Sequence, residues 1–288
     1  MTTLAVIITS YNWPEALAKV LQGLANQSQA PDEIWIADDG SKASTTQLIE
    51  RFAEQKKMRI GHVWHEDKGF RAAAIRNRAI HHIKSEYIVF IDGDCVPLPD
   101  FVANHRALAQ PGYCVVGNRV LLSRKATPLW LSEYFEWPKT RREWWIARLT
   151  ASINRYAPLI RLPKTGLASG WRVSTRQDWQ GAKTCNLAFW RKDLLELNGL
   201  DESYSGWGLE DSDLMIRALR YGIKRKNGRF ATGVIHLWHK ENDRSQLAEN
   251  QRRLDQLLQE ESYMAKEGLM QISPYDHQVA IYDFMSKE

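Results

Sequence analysis

The chain has 288 residues, of which 44% are hydrophobic and 25% are charged; this balance is ordinary for a globular protein and excludes a disordered chain. No apolar run is long enough for a membrane-spanning helix, and the N-terminus lacks the basic and apolar regions of a signal peptide. Three cysteines without metal-ligand spacing exclude a disulfide framework, so we expect a reducing compartment, by default the cytoplasm.

Positive charge is concentrated in the middle of the chain. The whole chain has a net charge of +5, but residues 119–192 hold 15 Lys and Arg against four Asp and Glu, a net charge of +11. The same segment holds seven of the twelve tryptophans. This composition suits an anionic partner, which could be nucleic acid, a phosphorylated substrate or a lipid surface.

Strand and helix patterns alternate over the first 95 residues. Short β-branched apolar runs predict strands, and apolar residues at helical spacing predict the helices between them. Strands that are nearly all apolar and separated by helices indicate a parallel sheet covered on both faces. The predicted strands are 4–8, 33–37, 59–64 and 87–91, and the predicted helices are 13–26, 44–55 and 69–83.

The pattern becomes less regular after residue 95. The elements predicted there are helices at 98–108, 129–136, 140–155, 210–221 and 244–266, strands at 113–122, 184–190 and 230–238, and a loop at 163–182. We expect one α/β domain over residues 1–240. It would consist of one half at 1–95 and a second half at 96–240, with a basic insert at about 124–182. Residues 241–288 form a predicted C-terminal helical extension.

Two aspartates follow the fourth predicted strand directly, as Asp92-Gly93-Asp94. Their carboxylates offer hard oxygen ligands for a cation, and the glycine lets a bulky ligand approach the backbone. A divalent cation here could neutralise the charge that grows on a diphosphate leaving group. A polar turn that caps the strand explains the same residues, so this motif alone does not distinguish a metal site from a structural turn.

A second acidic turn, Asp38-Asp39-Gly40-Ser41, ends the second predicted strand, and Thr9-Ser10-Tyr11-Asn12 ends the first. Ligands of open α/β sheets bind outside the carboxyl ends of the strands, so all three segments lie at the binding edge. A carboxylate there could accept hydrogen bonds from a base N–H or from ribose hydroxyls. One such turn could simply cap a helix, but the two turns together beside Tyr11 favour a nucleotide pocket.

Basic residues begin the third predicted helix, among them Arg71 and Arg76. They could pair with phosphates or hold the Asp92 loop, and a helix N-terminus itself favours anions. A solvated basic helix face is the alternative for Arg71. Arg76 lies one turn from Ala72 and Ala73, so we expect it to face the sheet.

The segment 206–213, Gly-Trp-Gly-Leu-Glu-Asp-Ser-Asp, contains a tryptophan between two glycines, followed by three carboxylates. Glycines around the Trp207 indole leave a flat apolar surface that could stack on a sugar ring. Glu210 and Asp211 begin a helix, where the macrodipole stabilises ionised carboxylates. Partial burial and crowding by Glu210 and Asp213 would raise the pKa of Asp211 toward the range of a general base. An acidic first turn that only stabilises its helix explains the acids but not the glycines.

His236 and His239 end the strand predicted at 230–238. Residues three apart point to opposite faces of a strand, so both imidazoles can reach one ion only if the strand gives way to a turn. One imidazole could complete a shell of carboxylate and histidine ligands, which suits Mn²⁺ better than Mg²⁺. A structural histidine is the alternative.

The order and spacing of these motifs resemble family 2 glycosyltransferases of the GT-A fold. The resemblance rests on TSYN, DDGS, the Gly-x-x-x-Ala-x-x-Arg-Asn pattern of residues 69–77 and DGD. GWGLEDSDL and HLWH resemble the C-terminal half of animal β-1,4-galactosyltransferases and of bacterial chondroitin-type polymerases. The resemblance implies an α/β fold with a mostly parallel central sheet flanked by helices, a helical basic insert and a C-terminal helix. It also implies that residues 1–95 are the nucleotide-binding half and residues 96–240 the acceptor and metal half.

The resemblance also implies roles for the donor-side residues. Thr9, Tyr11 and Asp39 would contact the nucleoside, with Arg76 supporting it. Asp92 would lie near the ribose and the metal ion. The donor would be a UDP-sugar.

On the metal and acceptor sides, the resemblance implies that Asp94 is a direct metal ligand and that His239 is a further one. His236 is another candidate ligand, although related enzymes carry Met at that position. Asp211 would be the base that deprotonates the acceptor hydroxyl. The acceptor site would be lined by Trp207, Gly208 and Glu210. The cofactor would be Mn²⁺, with Mg²⁺ as the alternative.

The implied reaction is an inverting, in-line displacement that adds a single sugar to a glycan or glycolipid acceptor, in bacterial surface polysaccharide synthesis. Single addition is expected because the Gln-x-x-Arg-Trp signature of processive membrane synthases is absent. The basic, Trp-rich insert matches no motif of the family. We expect part of it to contact the inner face of the plasma membrane, and residues 171–179 to form a lid over the donor.

Other functions explain less of the sequence. A basic protein that binds nucleic acid or anionic lipid without transferase activity would leave the acidic edge and the Gly-Trp-Gly segment without purpose, so we expect no nucleic-acid partner. A retaining glycosyltransferase would differ in the anomer of its product. A nicotinamide dehydrogenase is disfavoured because no G-x-G-x-x-G follows the first strand.

Overall fold

The structure of the protein is a computed structural model that describes residues 2–132, 138, 141–154, 162, 164, 167–173, 178–241, 243–272 and 279–284. The strands of these ranges are β1 Leu4–Ser10, β2 Glu33–Asp38, β3 Ile60–His65, β4 Tyr87–Asp92, β5 Cys95–Pro97, β6 Tyr113–Val116, β7 Asn118–Leu121, β8 Asn186–Trp190, β9 Lys224–Asn227, β10 Gly233–His236 and β11 Val279–Phe284. The helices are α1 Pro14–Ala25, α2 Ala43–Lys56, α3 Ala72–His82, α4 Phe101–Leu108, α5 Thr127–Leu131, α6 Arg141–Leu149, α7 Arg191–Glu196, α8 Glu210–Arg220 and α9 Leu247–Gln259, with 3₁₀ turns at Leu167–Arg172 and Leu269–Gln271.

The larger of two sheets has the strand order β11-β3-β2-β1-β4-β8-β6-β9. Strands β1 to β4 run parallel, β8 is antiparallel to both β4 and β6, and β9 runs parallel to β6. The register pairs Thr9 with Asp92 and Ser10 with Asp38. The predicted α/β class and the parallel arrangement of the first four strands are therefore confirmed, and the polar strand ends meet at one edge.

Strand β1 explains why the sheet needs helices on both faces. Successive side chains of a strand point to opposite faces, and those of β1 enter two different apolar cores. Leu4, Val6 and Ile8 pack in one core with α1 and α2, and Ala5 and Ile7 pack in the other with α3 and α8. All five side chains are fully buried, so neither face of residues 4–8 is exposed to solvent.

The strand predicted at 113–122 is wrong, because the chain breaks at Gly117 into β6 and β7, which belong to different sheets. The Asn186 side chain packs directly against the Gly117 backbone, where no Cβ would fit. The amide nitrogen of Gly117 donates a 2.9 Å hydrogen bond to the Asn186 carbonyl oxygen, and Nδ2 of Asn186 donates to the Asn118 carbonyl oxygen at 3.0 Å. A buried amide from a distant strand therefore redirects the chain.

The second sheet has the order β5-β10-β7. Its central strand β10 pairs antiparallel with β5 and parallel with β7, so that His236 lies opposite both Cys95 and Leu121. Because β5 follows β4 and the Asp92-Gly93-Asp94 motif almost directly, this sheet brings the end of β10 to that motif. It was not predicted as a separate sheet.

The C-terminal part differs from the helix predicted at 244–266, because α9 ends at Gln259. The following residues turn back to the body of the protein, where the Ala265 amide nitrogen donates to the Leu197 carbonyl oxygen at 3.0 Å. Strand β11 then joins the larger sheet beside β3. The segment after residue 240 therefore contributes an edge strand as well as a helix, and the domain boundary at residue 240 stays a prediction.

Helices α5 and α6 lie within the basic insert and are shorter than predicted. Helix α6 ends at Leu149 because the next residues bond to β7, with the Asn154 amide nitrogen donating to the Leu121 carbonyl oxygen at 3.0 Å. Residues 133–137, 139–140, 155–161, 163, 165–166 and 174–177 lie outside the described ranges, and with them four of the nine residues of the lid predicted at 171–179. Within the part of the chain that is described, no helix combines the length and apolarity needed to span a bilayer.

Candidate active site

Arg76 on helix α3 links three parts of the candidate site. Its side chain is buried and donates hydrogen bonds from Nε to Thr9 Oγ1 (2.8 Å), from Nη1 to Glu210 Oε1 (3.1 Å) and from Nη2 to Asp92 Oδ1 (3.3 Å). Thr9 and Asp92 lie at the ends of neighbouring strands, whereas Glu210 begins α8. As predicted, Arg76 faces the sheet, and its buried cation joins the ends of β1 and β4 to the start of α8.

The Asp94 carboxylate lies between two imidazoles. Its Oδ2 atom is 3.1 Å from Nε2 of His239 and 3.5 Å from Nε2 of His236. Strand β10 ends at His236 and the chain then turns, so two histidines that a continuous strand would separate reach the same carboxylate. Burial raises the pKa of Asp94, but the two histidines outweigh burial and hold the pKa below its usual value.

The donor atoms of this cluster fit a divalent metal ion. One potential ligand atom from each of Asp94, Cys95 and His236 lies within 4.8 Å of the others. Burial lowers the pKa of His236, which favours the neutral imidazole with a free lone pair. Nδ1 of His239 donates to the Lys240 carbonyl oxygen at 2.6 Å, which directs Nε2 toward Asp94. Carboxylate oxygen with imidazole nitrogen suits Mn²⁺.

Asp92 turns toward Arg76 rather than toward the histidines. Burial raises the pKa of Asp92 to about 6, and the Arg76 charge opposes that increase. Between the two aspartates, a Cβ added to Gly93 would lie 3.0 Å from the Thr9 carbonyl oxygen, which already accepts a 2.7 Å hydrogen bond from the Gly93 amide. Close packing against β1 accounts for this glycine, where the sequence had suggested ligand approach.

The donor-side residues Tyr11 and Asp39 have different surroundings. Tyr11 is 53% exposed, and its hydroxyl donates to Asp67 Oδ2 at 2.9 Å. Asp39 is buried, with Oδ1 2.6 Å from His65 Nε2 and Oδ2 accepting from the Arg71 amide at 2.8 Å. Each Asp39 oxygen therefore already has a protein partner, whereas the Tyr11 ring is open to a stacking ligand.

Asp211 lies in the first turn of α8, beside Glu210. Its Oδ2 atom accepts a 3.3 Å hydrogen bond from the Thr184 amide. Burial raises the pKa of Asp211 to about 7, the Glu210 charge adds to the increase, and Arg76 opposes it. A carboxyl group that titrates near neutral pH can accept a proton from a hydroxyl.

Asp213 has a structural role instead of crowding Asp211 as the sequence suggested. Its Oδ1 atom accepts a 2.6 Å hydrogen bond from Nε of Arg217, which is fully buried. Arg217 also donates to the carbonyl oxygens of Leu197 and Gly199, at 2.7 and 3.0 Å. The pair therefore fixes helix α8 to the preceding loop.

Helix α9 holds the Gly-Trp-Gly loop in place. Nδ2 of the buried Asn250 donates to the carbonyl oxygens of Ser205 and Gly208, both at 3.0 Å. Gly206 has φ +71°, and a Cβ there would lie 2.6 Å from Cβ of Gln246. The glycine is needed both for its left-handed backbone and for this close approach of α9.

The Trp207 indole is partly buried, and its two faces differ. The guanidinium carbon of Arg244 lies 4.9 Å from the ring centroid and covers one face. Only the opposite face can therefore serve as the sugar platform that the sequence predicts. Gly208, the other predicted acceptor-side residue, has φ +105° and anchors the loop through the Asn250 contact.

Three residues near the site were not predicted: His65, Arg119 and Asn250. His65 directly follows a predicted strand, but nothing in the sequence pairs it with Asp39. Asn250 lies in a polar helix without a distinguishing pattern. Arg119 belongs to the basic segment. Burial lowers its pKa, but the nearby thiols of Cys185 and Cys95, followed by the carboxylates of Asp92 and Asp94, raise it overall.

The protein is a glycosyltransferase of the GT-A type. This class is defined by the fold, by the acidic residues at the strand ends and by the carboxylate at the start of a helix. The family follows from the sequence as a whole. The family model described as Glycosyl transferase family 2 matches residues 5–166, and the one described as N-terminal domain of galactosyltransferase matches residues 168–240. The chain belongs to glycosyl transferase family 2.

Curated relatives include polymer synthases and a glucosyltransferase. The chain is 26% identical over 239 residues to hyaluronan synthase of Pasteurella multocida, covering 76% of this chain and 23% of the relative. It is 26% identical to chondroitin synthase of Escherichia coli (76% and 32% covered) and 27% identical to validoxylamine A glucosyltransferase of Streptomyces hygroscopicus subsp. limoneus (80% and 51%). The chain thus spans about a quarter to a half of the length of these relatives.

Solved structures support the fold. A mannosyltransferase, PcManGT from Pyrobaculum calidifontis in complex with GDP-Man and Mn²⁺, superposes with a TM-score of 0.54 at 20% identity, covering 90% of this chain and 62% of its own. S. aureus TarS 1–349 in complex with UDP gives a TM-score of 0.58 at 12% identity, covering 93% and 68%. At these identities the likeness establishes the architecture alone.

Proposed function

We propose that the protein is an inverting, metal-dependent glycosyltransferase that moves one sugar from a UDP-sugar to a hydroxyl of a glycan or glycolipid acceptor. The observation that carries this proposal is the Arg76 contact set, which brings the strand-end Asp92 and the helix-start Glu210 to one cation. The residues proposed for the donor side and for the acceptor side would therefore face one site.

Asp94 and His239 would hold the metal ion, with His236 as a third ligand. Oδ2 of Asp94 already lies 3.1 Å from Nε2 of His239 and 3.5 Å from Nε2 of His236. When bound, a divalent cation supplies positive charge that offsets the charge of a diphosphate leaving group. Asp92, which contacts Arg76 instead, would serve the ribose as well as the ion.

The nucleoside would lie on the edge formed by Thr9, Tyr11 and Asp39. The exposed Tyr11 ring would stack on the base, and the Asp39 carboxylate, oriented by His65, would accept a hydrogen bond from it. UDP is favoured because TarS, which shares the fold, has been solved with UDP. The mannosyltransferase structure contains GDP-Man, so guanosine donors are the competing choice.

Asp211 would remove the proton of the acceptor hydroxyl, while Trp207, Gly208 and Glu210 line the acceptor side. A single carboxylate with a raised pKa suits the base of a single displacement, which inverts the anomeric centre. A retaining mechanism through a covalent intermediate needs a nucleophile. Glu210, the carboxylate next to Asp211, is engaged by Arg76 at 3.1 Å. This arrangement favours inversion.

The pathway is proposed from the relatives. Two of them are named hyaluronan synthase and chondroitin synthase, so we place this enzyme in the synthesis of a bacterial surface polysaccharide. Both relatives are much longer than this chain, and the proposal here is transfer of single sugars.

The test is turnover of a panel of UDP-sugars and GDP-mannose, with and without Mn²⁺. We expect a UDP-sugar to be hydrolysed or transferred only with Mn²⁺ or Mg²⁺, and Asp94→Asn to reduce turnover about 100-fold or more. Asp255→Asn, which removes an exposed carboxylate on α9, is the matched control. Undiminished turnover after metal chelation would disprove the metal requirement. DNA binding with no turnover of any donor would support the binding-protein alternative, and the product anomer, read by NMR, tests inversion.

A further inference from the structure

Helix α6 has one face packed on the protein and one exposed apolar face. On the inner side, the rings of Trp144 and Trp130 lie 5.9 Å apart and Ala147 is buried. On the outer side, Trp145, Ile146 and Leu149 are 51%, 47% and 69% exposed. Residues one turn apart share a helix face, so these three form one apolar surface, named here the α6 face.

The α6 face is bordered by positive charge. Arg142 and Arg148 belong to the same helix and are both exposed. Apolar side chains that include a tryptophan, beside arginines, are typical of helices that lie in the interface of an anionic bilayer.

The α6 face is also connected to the metal side of the candidate active site. After α6, Oδ1 of Asn154 accepts a 2.9 Å hydrogen bond from the Leu121 amide. Leu121 lies on β7 opposite His236 of β10. On the other side of the insert, Thr127 of α5 accepts a 3.0 Å hydrogen bond from the amide of Trp238, two residues beyond His236. The helix is therefore fixed close to the proposed metal ligands.

We propose that the α6 face docks on an anionic phospholipid surface and so presents the active site to an acceptor held in the membrane. This inference deepens the proposed function, on which it rests, by choosing a lipid-linked acceptor over a free glycan. Nucleic acid could form ion pairs with the arginines but would not bury the three exposed apolar side chains. A second copy of the same face would bring like charges together.

The experiment measures binding to vesicles of phosphatidylcholine alone and of phosphatidylcholine with phosphatidylglycerol, by cosedimentation. We expect the wild type to prefer the anionic vesicles, and the combined variant Trp145→Gln, Ile146→Gln, Leu149→Gln to bind them at least tenfold more weakly. Arg142→Gln with Arg148→Gln should reduce the preference for anionic vesicles. The matched control replaces three exposed apolar residues elsewhere, Leu195, Leu258 and Met270, with glutamine.

Binding of UDP and the thermal midpoint, measured for every variant, establish that the fold and donor site are intact. Equal vesicle binding by the wild type and the α6 variant would overturn the proposal, as would no binding by the wild type. A wild-type dimer that the α6 variant turns into a monomer would assign the face to a second copy and also overturn it. Donor turnover by the wild type tests the proposed function separately, because hydrolysis of a UDP-sugar needs no membrane.

Discussion

Arg76 and Glu210 lie 134 positions apart in the sequence, and Nη1 of Arg76 donates a 3.1 Å hydrogen bond to Oε1 of Glu210. Both side chains are buried. Through the same guanidinium, Arg76 reaches Asp92, so this ion pair fixes the first turn of α8 against the ends of β1 and β4. It sets the position of the proposed base, Asp211, relative to the donor side.

Replacement of Arg76 by methionine is expected to destabilise the protein strongly. The change leaves two carboxylates, Asp92 and Glu210, without their cation, and breaking a buried ion pair in this way costs about 3–5 kcal/mol. The free energy of unfolding in urea measures the effect. Arg78→Met is the control, because Arg78 pairs with the partly exposed Glu202 and its loss should cost less. An equal loss in both variants would contradict the central role of Arg76.

The activity of the enzyme is expected to fall as the pH drops below about 7. Burial and Glu210 raise the pKa of Asp211 to about 7, and only the ionised carboxylate can accept a proton, so kcat/KM should rise through this pH. Glu210→Gln removes the neighbouring negative charge and should shift the acidic limb to lower pH. Asp211→Asn should reduce kcat by a factor of about 100 to 10,000. Full activity in this variant would disprove the assignment of the base.

The same raised pKa predicts that Asp211→Asn stabilises the protein at pH 8. The native state binds the Asp211 proton more tightly than the unfolded chain does, so this carboxyl lowers stability as the pH rises from about 4 to 7. Asparagine removes that cost, and a gain of roughly 1–2 kcal/mol in unfolding free energy is expected. The gain should disappear below about pH 4, where both states carry the proton. A constant difference at all pH values would point to another cause.

Arg119→Gln is expected to weaken binding of UDP but not of uridine. Alternation along β7 places Arg119 on the same face as Leu121, which lies opposite His236, and Arg119 interacts electrostatically with Asp92 and Asp94. A cation there can pair with a diphosphate. Titration calorimetry should show UDP affinity reduced about tenfold. Arg252→Gln, on the exposed surface of α9, is the control. An equal loss for UDP and uridine would indicate a structural role instead.

Asn250→Ala is expected to raise the KM for the acceptor and to leave the KM for the donor unchanged. The substitution removes the two hydrogen bonds that hold the carbonyls of Ser205 and Gly208, and therefore loosens the loop that carries Trp207. Initial rates with each substrate varied in turn separate the two effects. Gln251→Ala, at the neighbouring exposed position, is the control. A change in donor KM alone would contradict the proposed acceptor side.

The sequence was most informative where structure is local. The strand predicted at 87–91 and the observed β4, Tyr87–Asp92, differ by one residue, and the helix predicted at 210–221 corresponds to α8, Glu210–Arg220. Predictions failed where a distant residue decides. Asn186 splits the strand predicted at 113–122. The helix predicted at 244–266 is too long, because the residues after α9 turn back and Ala265 bonds to Leu197.

The α/β class and the identity of the acidic groups could be inferred from the amino-acid sequence, because hydrophobic periodicity and strand-end motifs depend only on neighbouring residues. Which of these groups meet depends on the folded chain. Folding brought Arg76 to Glu210, turned β10 after His236 so that both histidines reach Asp94, and set Asn250 beneath the Gly-Trp-Gly loop. These contacts join residues far apart in the chain, where no local pattern specifies distance or direction.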